Sequence, residues 1–463
     1  MSSIFGILDM AGTALLTHQQ AINITGNNIA NVNTPGYSRQ RLILSPRVMS
    51  NSALGLIGNG VTGQGIERIY DRFIGVQINN ESQSLGRWEA QKQILETIEV
   101  IFNESSGMGL SEAMNEFWNA WQDLSVTPSG QNERQVLITM GEILATTFKQ
   151  KHDDLTSAQR EIDANIKGAV QEINKMLEDI ADLNQKIIDS EAAGSTANEF
   201  RDQRDLVLKE LSELIDVSSF EDANGAIKVT LNSGRTLVEG IHPRSLSTQV
   251  NPATGLLDVL WVDINGSPVD ITNSIAGGKL QGWLEVRDVT IGDYLTRLND
   301  LAATLIQEVN ALHSTGFGLD ESTGYDFFTG TDASDIEVTI DLVNDVNLIA
   351  AADTLAGVPG DNSNAIEIAN LKNALTMNGG AETFDDYYSS LVCDVGSEIN
   401  TVSGYYQHQA DMVMQLENYR ESVSGVSLDE EMVNLVKFQS AYDACAKMIT
   451  TTDELLQTVL NMV

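Results

Sequence analysis

The run Asn27-Asn28-Ile29-Ala30-Asn31-Val32-Asn33-Thr34-Pro35-Gly36-Tyr37-Ser38-Arg39-Gln40-Arg41 closes a segment whose apolar or small positions step in sevens. Met1, Leu8, Leu15, Ile22 and Ile29 form one line, and Ile4, Ala11, His18, Thr25 and Val32 form the other. Two such lines make the a/d seam of a helix that lies lengthwise on other helices. Thr34-Pro35-Gly36-Tyr37 then has Pro second and Gly third, the chemistry of a type II turn, whose third residue needs a positive φ. The far end carries a matching seam: Leu428, Met432, Leu435, Gln439, Tyr442, Ala446, Ile449, Asp453, Leu456, Leu460 and Val463 keep a 4-3 spacing. Each terminus therefore reads as a long helix, the two paired as a coiled coil. The chain between them must leave and return.

The 463 residues suffice for two to four domains. The intervals 47–127, 129–242 and 360–463 contain no proline, so long helices are permitted there. Three of the seven prolines fall between 243 and 268, which marks a turn-rich middle. A net charge of −38 argues against nucleic acid and anionic membranes as partners, since both need a basic surface. Between Met1 and Ser38 the only formal charge is Asp9, while Asn and Gln abound. A polar face without charge suits contact with copies of the same chain, and equally an ordinary core helix. Cys393 and Cys445 read as small buried hydrophobes rather than a bridge. With no secretory signal and no apolar run of membrane-spanning length, the residues alone point to a cytoplasmic protein.

Residues 39–47 read as extended. The glycines of 55–65 match the dinucleotide pattern at Gly58, Gly60 and Gly63, but no βαβ unit brackets them, so a loop or irregular hairpin is expected. Helical periodicity runs from Ile69 to about Asn103, a break follows at 105–109, and 110–124 forms a short helix on which Trp118 and Trp121 share a face. Residues 132–192 form one periodic tract with Ile143, Phe148, Leu155, Ile162, Ile166, Val170 and Ile173 along its stripe. At about 90 Å it predicts an elongated stem, with Gly168 as the place for a break. A helix over 200–215 follows. Short strands are expected at 227–231, 235–238, 246–250 and 256–262, separated by Asn224-Gly225, Ser233-Gly234 and Asn251-Pro252. Helical period returns over 280–312. A strand is expected at 336–340, and helices at 365–377, 384–422 and 428–463. The fold class is mainly α with an inserted β domain, α+β and multidomain, with the chain ends at one pole and the β domain at the other.

His18, His152, His242, His313 and His408 are scattered, none at metal-ligand spacing. Asp320, Glu321 and Asp326 lack the ligand order of a calcium loop. No P-loop, zinc-protease helix or nucleophile elbow is present, so no enzyme, cofactor or metal site is read.

Residues 21–41, centred on the Asn-Asn-Ile-Ala-Asn-x-Asn-Thr-x-Gly-Tyr run, closely resemble the N-terminal signature of bacterial flagellar rod, hook and hook-associated axial proteins. In that family a Gly-rich segment precedes a stretch like Arg68-Ile69-Tyr70-Asp71-Arg72-Phe73. Asp202-Gln203-Arg204-Asp205, the run from Gly277 to Asp288, the run from Val309 to Gly316, and the C-terminal residues from Ser424 on narrow the likeness to the hook–filament junction members. The β region matches least.

The resemblance implies a structural axial component that joins hook to filament; the alternatives are hook, rod or second-junction relatives, or a secreted module with an unrecognised site. It implies partners: copies of itself in a ring, the hook protein, the second hook–filament junction protein, and a cytoplasmic export chaperone on the C-terminal helix. It also moves the expected location to the extracellular flagellum, reached by type III export without a cleaved signal. The expected division is 1–38 with 426–463 as a terminal paired-helix domain, 39–216 with 278–315 and 362–425 as a helical stem, and 217–277 with 316–361 as an outer β-rich domain. The assembly residues expected are Leu8, Leu15, Ile22, Asn27, Asn28, Ile29, Asn31, Asn33, Pro35, Gly36 and Tyr37, with Leu428, Met432, Leu435, Tyr442, Ile449, Leu456 and Leu460.

Overall fold

The computed structural model describes residues 2–47, 50–52, 55–103 and 109–462. The expected seam positions Met1 and Val463, and most of the break at 105–109, lie outside these residues. Helix α1 (Ser2–Ala30) leads through the Pro35-Gly36 turn into strand β1 (Gln40–Pro46). Gly36 has φ +77°, as the turn chemistry requires. A small hairpin, β2 (Ser50–Ser52) with β3 (Gly55–Ile57), precedes β4 (Val61–Arg68). The irregular hairpin expected at the glycines is β1 against β4, with a register shift at Ile43/Leu44. Gly63 and Gly65 are thus strand residues.

The stem is built from α2 (Arg72–Phe102), α3 (Leu110–Val126), α4 (Gln131–Ala192) and α5 (Asn198–Leu214). Its 62-residue α4 spans about 93 Å at 1.5 Å per residue. No break occurs at Gly168, which faces open space, so a residue without a side chain there costs the helix propensity but no contact. The buried stripe holds Phe148, Leu155, Ile162, Ile166, Val170 and Ile173; Ile143 is exposed, because Leu144 and Ala145 take the inward positions. A Cβ at Gly86 would collide with the Glu213 carbonyl, so this glycine lets α2 and α5 cross closely.

After α5 come β5 (Val217–Glu221), β6 (Ile227–Leu231), β7 (Thr236–Glu239) and β8 (His242–Pro243), one antiparallel sheet in that order. Strands β9 (Ser245–Val250), β10 (Leu257–Val262) and β11 (Pro268–Asp270) form a second, with β10 central. Strands β5, β8 and β11 were not expected. Helix α6 (Gly278–Glu285) continues through a π turn at Val286–Thr290 into α7 (Ile291–His313). The wide turn carries buried Arg287, which bonds Asp163 on α4 (2.6 Å) and the Leu257 carbonyl (2.7 Å), tying stem to sheet.

Beyond α7, β12 (Phe328–Thr329) pairs with β13 (Glu337–Val338), two residues each where a five-residue strand was expected. Helices α8 (Ile340–Asn344), α9 (Ser363–Asn370), α10 (Phe384–Ser424) and α11 (Leu428–Leu460) complete the chain. The helix expected over 365–377 ends early in a 3-10 turn, and Met377 bridges to Glu382 instead. Cys393 is exposed and Cys445 half-buried, so the expectation of two buried thiols holds for neither; both are free.

The placement of the β segments differs from expectation. Phe327 and Phe328 stack into the Phe117, Trp118 and Trp121 cluster of α3, and Phe327 and Val338 close on Gly141 near the start of α4. The sheets β5–β11 sit instead on Asp163, Asn174 and Asn184 of the same helix. From Gly141 to Asn184 is roughly 65 Å along α4. Residues 316–361 therefore do not join 217–277: they cap the pole far from the chain ends, and the sheets lie toward the terminal helices.

Three helix asparagines hold strand residues by both backbone groups. Asn174 accepts from Leu246 N–H (2.7 Å) and donates to its carbonyl (2.8 Å). Asn184 does the same to Ile227 (3.0 and 2.9 Å), and Asn310 to Phe328 (2.9 and 2.8 Å). A side-chain amide so placed mimics the missing neighbour strand and removes a buried unpaired N–H and C=O together.

At the far pole, buried Arg134 donates to the carbonyls of Pro128 and Ile349, and burial pushes its pKa down to about 10. His313 donates from Nδ1 to the Tyr325 carbonyl (2.6 Å) and accepts at Nε2 from Ala350 N–H (3.0 Å), so the ring is neutral. Burial lowers its pKa from 6.5 to about 4. The folded value lies below the unfolded one, so the unfolded chain binds the proton first as pH falls. The stability contributed by the neutral ring is whole above pH 6.5 and lost progressively toward 4, on the order of 3 kcal/mol. Urea unfolding at pH 7 and pH 4.5 should show a steeper acid loss in wild type than in His313→Gln.

Candidate functional site

Helices α1 and α11 run antiparallel, with His18 against Phe438 (ring centroids 6.3 Å) and Asn28 against Glu431 (3.0 Å). Their contact follows the expected seams only in part, Ala11 and Thr25 of α1 being buried as expected. On α1 the buried positions are Ala11, Thr17, Ala21, Ile24, Thr25 and Asn28. Leu8, Leu15, Ile22 and Ile29 are only half-buried. On α11 one expected line holds: Leu435, Tyr442, Ile449 and Leu456 are half-buried toward the partner helix. The other line is shifted by one residue, to Glu431, Phe438, Cys445 and Thr452. Leu428, Met432 and Leu460 are consequently exposed, at 48, 53 and 73 %. Small side chains let the helix axes approach, so the large ones are displaced to the flanks.

The pair is tied to the stem at one joint. Asn28 accepts from Gln40 N–H (3.0 Å) and donates to its carbonyl (2.9 Å), a fourth amide clamp, and the same amide nitrogen reaches Glu431 (3.0 Å). The Glu431 side chain, 3 % exposed, also takes Arg39 Nε at 2.8 Å, while Arg39 Nη1 reaches Glu430 (2.7 Å). Tyr37 donates its hydroxyl to Asn28 Oδ1 (2.8 Å). Burial, with Asp202, Glu199 and Glu431 nearby, pushes that phenol up to about 12, so it stays a neutral donor. Asn31 folds back onto the Asn27 carbonyl (2.9 Å) at the helix end. Asn33 and Pro35 are exposed at the turn.

On the stem side, Asp202 of α5 accepts Ser38 N–H (3.0 Å) and Arg68 Nη1 (2.9 Å), and Asp205 accepts the same Arg68 nitrogen (2.7 Å). Burial raises Asp202 above the usual carboxylate range, although Ser38 and Arg68 pull the other way. Arg68 moves upward because Asp205 and Asp202 outweigh the opposing effect of its own burial. Arg39 N–H closes the joint on the Ser424 carbonyl (2.9 Å), where α10 gives way to α11. Both crossings between the terminal pair and the stem are thus pinned at one level. Among the described residues no group of three or more His, Cys, Asp or Glu could hold a metal ion.

The family model described as the flagellar hook-associated protein FlgK helical domain matches residues 95–328. A flagella basal body rod protein model matches 8–37, and one for the flagellar basal body rod FlgEFG protein C-terminal matches 420–462. Flagellar hook-associated protein 1 of Bacillus subtilis is 31 % identical, over 100 % of this chain and 99 % of that protein. The chain belongs to the FlgK family of flagellar hook-associated proteins. Flagellar hook-associated protein 1 of Escherichia coli is 27 % identical over 98 % of this chain and 99 % of its own length. The solved flagellar hook junction protein FlgK from Burkholderia pseudomallei has the same fold, with a TM-score of 0.66 at 15 % identity, covering 75 % of this chain and 100 % of that one. As a FlgK-type chain this protein is a structural axial component of the flagellum.

Within this FlgK chain, the rod-type matches at 8–37 and 420–462 fall on the two halves of the joint. The joint gathers Asn27, Asn28, Asn31, Gly36 and Tyr37 from the expected set, and adds Ser38, Arg39, Gln40, Arg68, Asp202, Asp205, Ser424 and Glu431. Asp202 and Asp205 stood out as a stretch, but their target was not readable. Glu431 lay hidden in an acidic first turn of α11 with Asp429 and Glu430.

Asn28→Asp keeps the shape but turns a donor into an acceptor facing the Gln40 carbonyl and Glu431. A loss of about 3 kcal/mol in the joint is expected. Trypsin should then cut after Arg39 and Arg41 at least tenfold faster, while the stem fragment survives.

Proposed function

We propose that this chain is the junction subunit that joins hook to filament, assembling as a ring of copies through its terminal helix pair. The observation that carries the reading is the apolar surface left on α11 after α1 has taken its seam. Val433, Val436, Leu455, Val459 and Leu460 are 46–73 % exposed on one helix of a chain that otherwise buries a continuous core. A surface of that kind needs covering by another protein. The near absence of charge over residues 1–38 fits copies of the same chain as the cover.

In this reading residues 1–38 with 426–463 line the inner tube, the helical stem stands outside it, and the hook protein and second junction protein bind above and below. The same α11 stripe would be shielded by a cytoplasmic chaperone before type III export, without a cleaved signal, to the cell exterior. Among the described residues no helix is long and apolar enough to cross a membrane, and the charge of −38 disfavours nucleic acid. No catalysis is assigned.

The test is complementation of a strain deleted for the gene. Val436→Lys with Leu455→Lys alters only exposed side chains, so the thermal midpoint should stay within a few degrees. Hooks should form, and filaments should be absent while monomer flagellin is shed. Normal filament number with this double variant would refute the reading.

A further inference from the structure

Among the described residues, side-chain amides close several strand ends, whereas the edge of β5 stays largely open. Asn28, Asn174, Asn184 and Asn310 each hold a strand residue by both backbone groups. Edge strand β5 receives a single such contact, from Gln83 Nε2 to the Val217 carbonyl (2.7 Å). In an antiparallel strand the N–H and C=O of one residue point to the same side, and sides alternate along the chain. Ser219 and Glu221 therefore turn their backbone groups outward with Val217, and among the described residues no hydrogen bond reaches those groups.

A groove follows that edge. Arg72, Val76 and Asn79 of α2 form its far wall and Leu208 and Ser212 of α5 its floor, with about 240 Å³ of open space. It continues past Glu221 toward Tyr70 and Glu421. Val76 and Phe220 are exposed apolar residues along it. Helix α2 covers the strand at Val217, and beyond it the groove lies open between Ser219 and the α2 residues Arg72, Val76 and Asn79.

The same chain offers a strand of matching form. Arg47 N–H bonds the Gly60 carbonyl and Ile69 N–H bonds the Arg39 carbonyl, so the odd residues of β1 face β4 and the even ones face away. Asn28 closes Gln40; the outward groups of Leu42 and Leu44 are open among the described residues. Ile43 and Leu44 expose their side chains. Arg39, Arg41 and Arg47 put three positive charges in and beside this strand, in a chain of net charge −38. Each is paired to a carboxylate of its own copy, but the stretch is still the one an acidic neighbour repels least.

We propose that β1 of one copy adds to the open edge of β5 in a second copy, Leu42 and Leu44 lying opposite Ser219 and Glu221. The two surfaces differ, so the contact is head-to-tail and repeats around a ring. It rests on the ring reading above and names the contact within it.

A labelled, end-blocked peptide of residues 40–47 tests it against the full-length monomer by fluorescence anisotropy. Saturable binding is expected, with slowed amide exchange at Ser219 and Glu221. Ser219→Pro fills the edge without touching the bonds to β6, since its N–H points outward; it should weaken binding at least tenfold at an unchanged urea midpoint. If that variant fails to fold, the same peptide N-methylated at Leu42 and Leu44 should lose binding to the wild-type chain. No saturable binding at millimolar peptide overturns the proposal. So does equal binding of a scrambled peptide, equal binding by folded Ser219→Pro, or undiminished binding of the N-methylated peptide. Rings that assemble unchanged with Ser219→Pro overturn the strand contact and leave the ring reading standing. A chain that never self-associates on hook ends removes both.

Discussion

A single kind of interaction sets the geometry of this molecule: an asparagine amide on a helix that satisfies both backbone groups of one strand residue. A strand that ends against a helix has an N–H and a C=O that water no longer reaches, and leaving both unpaired costs several kcal/mol. Asn presents an N–H donor and a C=O acceptor at the spacing of a peptide group, so it repairs both at once. Asn174 and Asn184 fix the two sheets to one helix, Asn310 fixes the far cap, and Asn28 fixes the terminal pair. Because each clamp selects one residue, it also sets register, which apolar contact alone leaves free to slide.

The joint has a further consequence for an axial subunit. The chain crosses between the terminal pair and the stem at residues 37–40 and 424–427, and both crossings are held by Arg39, Glu431 and Asn28. Beside them lies a cavity of about 310 Å³ between α1, β1 and Phe438. A joint that is polar, narrow and beside open space can exchange hydrogen bonds without disturbing a core.

Helices were legible from the sequence because heptads of large apolar residues and long proline-free intervals are direct signals. Their phase was legible only in part. Leu8, Leu15 and Met432 read as seam positions for being large and apolar, whereas the contact uses Asn28, Cys445 and Thr452 beside the expected Ala11 and Thr25. Strand β5 was missed because Val217-Ser218-Ser219-Phe220-Glu221 has one buried face and a polar edge, a weak alternation. The grouping of 316–361 with the sheets failed for another reason: composition shows that two segments are alike, and only contacts such as Phe327 on Trp121 show where each one sits. The clamping asparagines were invisible as such, since an Asn on a helix reads as a solvated position until the strand it holds is in place.

The central claim is that side-chain amides stand in for neighbour strands, and residue-resolved hydrogen exchange tests it most directly. The amides of Gln40, Ile227, Leu246 and Phe328 have an Asn Oδ1 as their acceptor. They should exchange as slowly as ladder-bonded neighbours in the same strands, and each should lose that protection when its own asparagine becomes alanine. Exchange of these four amides at the rate of an unprotected chain in the wild-type protein would contradict the account.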